Sequence, residues 1–210
     1  HKHKLLLGLF LGTTILIPFL TYSPLLSVTE NLNSMFLVNL NLNKYNILNV
    51  IYYLLSLTMF VYLAVNLYTK DLIYSLDNIF LREKIISWSK MKLTTIILLT
   101  ILVKFIAYIL VILTLSLRAG SISFELTILT RDLAYTILLE LLFLNSYVLY
   151  LRDYKIVSII VGLIFLLAVS FGVVWFKGIS SILIIVLVMS LIFLHKKRPS
   201  ELIERVGMIR

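Results

Sequence analysis

The sequence predicts an all-α bundle of six membrane-spanning helices with both termini cytoplasmic, and three observations carry that prediction. Of 210 residues, 61% are hydrophobic and 14% are charged, with a mean hydropathy of +1.06. A chain of this length in water would need far more polar surface to cover one core. The apolar residues also fall into runs of about 16–24, the length that crosses a hydrocarbon layer of about 30 Å. Finally, stretches such as "IIVGLIFLLAV" do not alternate apolar and polar residues, which excludes the strands of a membrane β-barrel.

Taken in order, the runs cover approximately 4–22, 46–67, 93–116, 133–151, 156–176 and 179–195. A single transmembrane domain is expected to fill residues 1–210. The first run opens with "HKHK" like a leader, but "TYSPLLS" follows it and offers no small-residue cleavage site, so it is read as the first span. Only "KGIS" separates the last two runs, which makes 156–195 a helical hairpin. Residues 23–45 and 117–132 are half apolar and asparagine-rich or polar in turn. They are expected as external interfacial loops, or more sharply as a lid over the outer face.

The segment "YTKDLIYSLDNIFLREKIISWSKMK", residues 68–92, separates the second and third spans. Leu72, Leu76, Ile79, Phe80 and Ile86 recur at helical spacing with charges between them. Asp71 suits a helix start, and Lys90 and Lys92 suit its end. A cytoplasmic amphipathic helix over approximately 71–92 is expected, anchored on the inner leaflet by Trp88. The sharper reading is a coupling helix that a partner protein grips and pushes.

Positive charge sets the orientation. With the N-terminus inside, fourteen Lys and Arg residues fall on the cytoplasmic side and four outside, namely Lys44, Arg118, Arg131 and Lys177. This is a strong positive-inside bias. The net charge of +9 is therefore topogenic charge set against anionic lipid heads, and no basic face with interleaved aromatics points to nucleic acid.

Inventory excludes most catalytic chemistry. The chain has no cysteine and three histidines, His1, His3 and His195. No converging metal ligands and no Ser–His pair can be assembled from them, and no phosphate loop of the G-x-x-x-x-G-K-[ST] kind exists. No catalytic residue, metal or cofactor is expected in this chain, and it is not expected to be an enzyme.

Six spans, termini inside and a charged helical link between spans two and three resemble the permease subunits of type-two ABC exporters. The run Arg82, Glu83, Lys84, Trp88, Lys90 and Lys92, leading into "LTTIILLTIL", resembles the basic-aromatic entry to the third span of small Firmicute permeases of peptide-antibiotic and bacteriocin export or immunity systems. That resemblance implies a separate cytoplasmic ABC ATPase carrying ATP and Mg, a second permease subunit in a homo- or heterodimer, an amphipathic or antimicrobial peptide as substrate, and a multi-pass place in a Gram-positive cell membrane. Arg82, Glu83, Lys84, Trp88 and Lys90 would be the ATPase-coupling residues. A stand-alone immunity or sensor protein that binds a peptide, and an assembly subunit of a larger membrane complex, are the competing expectations.

Two further features lie within the spans. Gly8 and Gly12, and likewise Ala168 and Gly172, are small residues one turn apart, the spacing that lets helices approach closely in lipid. They are expected either inside the bundle or, as the resemblance implies for the first and fifth spans, at a dimer contact. Thr100, Lys104 and Tyr108 align along the third span, and Thr136, Glu140 and Tyr147 along the fourth. Lys104 and Glu140 each lie about 16 Å from the cytoplasmic end at 1.5 Å per residue. They are expected to face one another in a polar seam, either as a structural ion pair or as the lining of a peptide route.

Overall fold

The computed structural model describes residues 2–36, 47–74, 85–121, 124–151, 153–171 and 184–191. Among these it is all-helical. The elements are α1 (Lys2–Thr21), α2 (Val28–Phe36), α3 (Ile47–Tyr74), α4 (Ile85–Ala119), α5 (Leu126–Leu151) and α6 (Lys155–Phe171), followed by a helical stretch at 184–191. Among the described residues, three segments are long and apolar enough to cross a membrane: Ile47–Thr69, Ser87–Ala119 and Leu126–Leu151. Leu5–Thr21 and Lys155–Val169 are shorter apolar helices. The expected sixth run, 179–195, is described only at 184–191.

α5 is the axis of the bundle. More than half of its 26 residues are buried, and it packs against α2, α3, α4 and α6. Its contact with α6 is held by polar clasps. Ser146 Oγ donates to the Ser158 carbonyl at 2.9 Å, and Ser158 Oγ donates back to the Ser146 carbonyl at 2.8 Å. Tyr135 donates to the Ala168 carbonyl. On another face, Asn145 Nδ2 reaches the Leu187 carbonyl at 3.2 Å and Asn145 Oδ1 accepts from Ser190, which ties 184–191 to α5. Each clasp hides polar atoms that have no water to meet inside an apolar bundle.

The turns follow local chemistry. Gly120 ends α4 at φ 67°, its N–H bonded to the Ser116 carbonyl at 2.9 Å, a left-handed cap that glycine adopts without a Cβ clash. α1 ends at Thr21, just past Pro18. There Arg118 donates to the Phe19 carbonyl at 3.3 Å and lies 4.2 Å from the Phe19 ring centre, a cation placed on the negative end of a helix.

Residues 23–36 form a stapled cover instead of an open loop. "SVTE" is a capping box. Ser27 N–H donates to Glu30 Oε2 at 2.8 Å, and Glu30 N–H donates to Ser27 Oγ at 3.2 Å, which satisfies two donors at the start of α2. These bonds hold the exposed Glu30 carboxyl below its ordinary value. Asn31 accepts from Ser23 N–H at 3.0 Å and donates to the Ser23, Leu26 and Ser27 carbonyls at 3.0–3.2 Å. Leu32, Met35 and Phe36 are buried in one cluster with Phe10, Tyr52 and Tyr108.

The expected cytoplasmic helix over 71–92 is not a separate element where it is described. Residues 71–74 close α3, and 85–92 open α4 without a break. Arg82, Glu83 and Lys84 lie outside the described residues. Trp88 corrects the expectation of an interface anchor: it is 3% exposed and packed on Tyr68 with ring centres 5.4 Å apart. The indole is enclosed with Ala64 and Tyr68 of α3 and Val148 of α5 in one buried cluster.

Candidate functional site

A buried polar seam runs between α4 and α5. On α4, Thr100, Lys104 and Tyr108 stand at four-residue spacing, so they form one stripe of the helix. The first two meet α5 at successively earlier points, and the third meets the residue just before its start. The Thr100 hydroxyl lies 2.8 and 3.0 Å from the two Glu140 carboxyl oxygens. Lys104 Nζ donates to Asp132 Oδ2 at 2.8 Å. Tyr108 donates to the Glu125 carbonyl at 2.6 Å and accepts from its N–H at 3.1 Å. The order 100, 104, 108 against 140, 132, 125 is that of two antiparallel helices zipped by their polar residues.

The expected partner of Lys104 was Glu140, and the structure corrects this. Register explains the difference. A pairing of 100 with 140 puts Lys104 level with Thr136, whose hydroxyl is already donated to the Asp132 carbonyl at 2.8 Å. The flexible Lys stem carries the ammonium one turn further, to the Asp132 carboxylate. Asp132 was expected in the external segment 117–132, beside Arg131. α5 begins at Leu126, so Asp132 sits about 9 Å inside the helix at 1.5 Å per residue, and it is 3% exposed. The signal that finds it is the spacing Asp132, Thr136, Glu140, an i, i+4, i+8 stripe matching that on α4. Arg131, a step of about 100° away, is exposed.

α3 closes the seam. Lys104 Nζ stands 5.1 Å from the Phe60 ring centre, a cation over a π face. One turn earlier on the same face of α3, Ser56 Oγ is buried with no hydrogen-bond partner among the described residues, as is Asn49 Oδ1. The Tyr53 side chain packs beside Tyr135. These α3 residues were not singled out by sequence, because serine, asparagine and tyrosine within an apolar run carry no charge to mark them.

Thr100, Lys104, Tyr108, Thr136 and Glu140 are all buried. Tyr147 is half-buried and takes no part in the seam's hydrogen bonds. Of the helix-packing candidates, Gly8 and Gly12 are exposed, with nothing within 4 Å of a Cβ built on either. Ala168 is instead buried against α5, and Gly172 lies outside the described residues. Lys90 is exposed on α4.

An ionised group alone at mid-membrane costs on the order of 2.5–3.5 kcal/mol on insertion scales. Lys104 and Asp132 offset that cost for each other, whereas Glu140 has the Thr100 hydroxyl. The arrangement holds charge and polar groups between two long apolar helices, and it contains no nucleophile–base pair. No group of three or more His, Cys, Asp or Glu side chains among the described residues could hold a metal ion. Comparison with protein-family models, curated proteins and solved structures gives no match.

Proposed function

We propose that this chain is the permease subunit of a membrane system that exports, or gives immunity to, an amphipathic or antimicrobial peptide, driven by a separate cytoplasmic ATPase. The observation that supports this reading most is a brace at the base of α3 and α4. Tyr68 packs on Trp88 at 5.4 Å, and the Tyr68 hydroxyl meets Ser89 Oγ at 3.0 Å. The charged link between the two helices, with Asp77, Arg82, Glu83 and Lys84, therefore leaves from a tied pair. α4 is unbroken over all its 35 residues, brace and seam included, so a push on the link is transmitted to Thr100 and Lys104 without a hinge.

In this reading both termini and the 75–84 link are cytoplasmic, and the protein is a multi-pass component of the cell membrane. The seam gives a cationic or amphipathic peptide a polar place between α3, α4 and α5. The exposed Gly8–Gly12 face of α1 meets a second permease subunit. ATP and Mg belong to the partner.

The test is affinity purification of the full chain from native membrane, followed by mass spectrometry and an ATPase assay. An ATPase is expected to co-purify, and Arg82→Glu with Lys84→Glu is expected to release it while membrane insertion stays intact. Surface ion pairs contribute about 0–1 kcal/mol each, so the double reversal is the informative change. Full assembly in that variant removes coupling from the account. The second reading, a stand-alone peptide-binding immunity protein, draws on the α2 cover. It predicts that this chain alone protects cells without an ATPase.

A further inference from the structure

A count of charges along the seam leaves an imbalance. One ammonium, Lys104, faces two carboxyls, Asp132 and Glu140, and all three are 5% exposed or less. Lys104 is committed to Asp132 at 2.8 Å. Among the described residues no other element evens the count: α3 brings the neutral Tyr52 and Tyr53, both within electrostatic reach of Asp132, and 184–191 carries no ionisable residue. Lys155 stands at the exposed start of α6, beside Asp153, and Tyr108 is occupied by the Glu125 backbone. Glu140 feels the Lys104 ammonium but shares it with Asp132, and among the described residues no second cation makes up the difference; at 2% exposure the smallest one fits best.

Thr100 supplies an independent observation. Thr14, Thr58, Thr69, Thr95, Thr114 and Thr136 all donate to the carbonyl four residues back in their own helices, the usual resting place of a helical threonine. Thr100 departs from that habit and turns its hydroxyl across the interface to Glu140. The carbonyl of Ile96 stands four residues back as its alternative acceptor. Ser56 Oγ, buried and without a hydrogen-bond partner among the described residues, lies on the α3 face one turn from the Phe60 ring that Lys104 covers, so the polar enclosure extends beyond the groups already bonded.

We propose that Glu140 is a proton-binding site, a carboxyl that holds one exchangeable proton inside the bundle with Thr100 as its hydrogen-bond switch. With the proton bound, the carboxyl O–H donates to Thr100 Oγ1, and the Thr100 hydroxyl donates to the Ile96 carbonyl. When the proton leaves to water, the carboxylate accepts from Thr100, and its free negative charge competes with Asp132 for Lys104. A proton is the one species exchanged, and the α4–α5 packing responds to it. The inference rests on α4 and α5 spanning the membrane, and it is independent of the peptide and of the ATPase.

Dicyclohexylcarbodiimide reacts with protonated carboxyls in apolar surroundings, and peptide mass spectrometry reads the site. With the purified full chain in phospholipid nanodiscs, Glu140 is expected to be labelled in preference to Asp132, and its labelling to fall several-fold from mildly acidic to mildly alkaline buffer. In Asp132→Asn, Lys104 is released to pair with Glu140, and labelling at Glu140 is expected to fall several-fold at neutral pH. An unlabelled Glu140, labelling of Asp132 in its place, or labelling that ignores pH overturns the proposal. Unchanged labelling in folded Asp132→Asn overturns it too. The wild-type measurement decides even where the variant fails to fold, and none of these results depends on whether an ATPase co-purifies.

Discussion

Lys104 has two carboxyls near it and bonds one, which makes its variants asymmetric. Lys104→Met strands Asp132 as a buried charge with no other cation among the described residues, and breaking a buried pair in this way costs about 3–5 kcal/mol. Asp132→Asn is expected to cost less, because the ammonium has Glu140 as a second partner. Adding Asp132→Asn to Lys104→Met is expected to restore most of the loss, and adding Glu140→Gln is not. Thermal unfolding in detergent measures all four variants, and equal rescue by both second changes would refute the assigned pairing. At the outer end, Glu30 gives a pH signature. Its carboxyl is held below the ordinary value of 4.5 by Ser27, so its contribution is fully present above that value and is lost as the pH falls through the lower folded one. The protection of α2 amides, corrected for the intrinsic pH dependence of exchange, is expected to fall in acid, and Glu30→Gln to remove the acid dependence contributed by that carboxyl.

At the scale of elements, the α5–α6 contact is close enough to grade substitutions. A Cβ on Gly162 would meet Ser146 Oγ at 3.4 Å, an ordinary contact. Gly162→Ala is therefore expected to be tolerated or to stabilise by up to about 1 kcal/mol through helix propensity. Gly162→Leu is expected to force the helices apart and break the Ser146–Ser158 clasp. Thermal stability and crosslinking between α5 and α6 report both. The α3–α4 brace behaves in the opposite sense, since Trp88 is buried and fills its space. Trp88→Ala is expected to cost about 3–5 kcal/mol as a large core truncation, and to weaken any response at the seam to a partner bound at the link.

For the whole molecule, the outer surface is hydrocarbon. Leu98, Leu102, Leu113, Ile159, Leu163 and Leu166 are all more than half exposed, a ring of the kind that lipid covers and water does not. The chain has no cysteine, so single cysteines report topology without background. Lys90→Cys and Ser121→Cys, both at exposed positions at opposite ends of the long α4, are expected to react with an impermeant maleimide from opposite sides of the membrane. Reaction from one side would refute a spanning α4. Gly12 has open space around it, so Gly12→Leu is expected to leave the monomer's stability unchanged. Light scattering in detergent then tests whether the Gly8–Gly12 face joins two copies, and a dimer that survives the change removes that face from the interface.

The long apolar helices were legible in the sequence because their own composition decides them, whereas α2 and the first turns of α5 fell in segments read as external loops. Apolar runs without alternation have one backbone solution in hydrocarbon, and the polar stripe 100–104–108 follows from helical spacing alone. The partners across the seam were not legible, because register between two helices is a property of the pair. A shift of one turn moves Lys104 from Thr136 to Asp132, and nothing local to either segment distinguishes the two. For the same reason Asp132 beside Arg131 reads as a polar loop until α5 starts at Leu126 and turns one residue inward and the other outward. Residues 23–45 were expected as an external segment and "SVTE" was not singled out by sequence; the burial of α2 depends on α1, α3 and α4 meeting beneath it. Trp88 and Gly12 part in the same way. Composition suits both to a membrane interface or a helix contact, and their neighbours in space decide that the indole is enclosed while the glycine is open. Local chemistry determined which long apolar segments are helices and which residues share a face; the tertiary structure decided which faces meet, because contact energy belongs to neither partner alone.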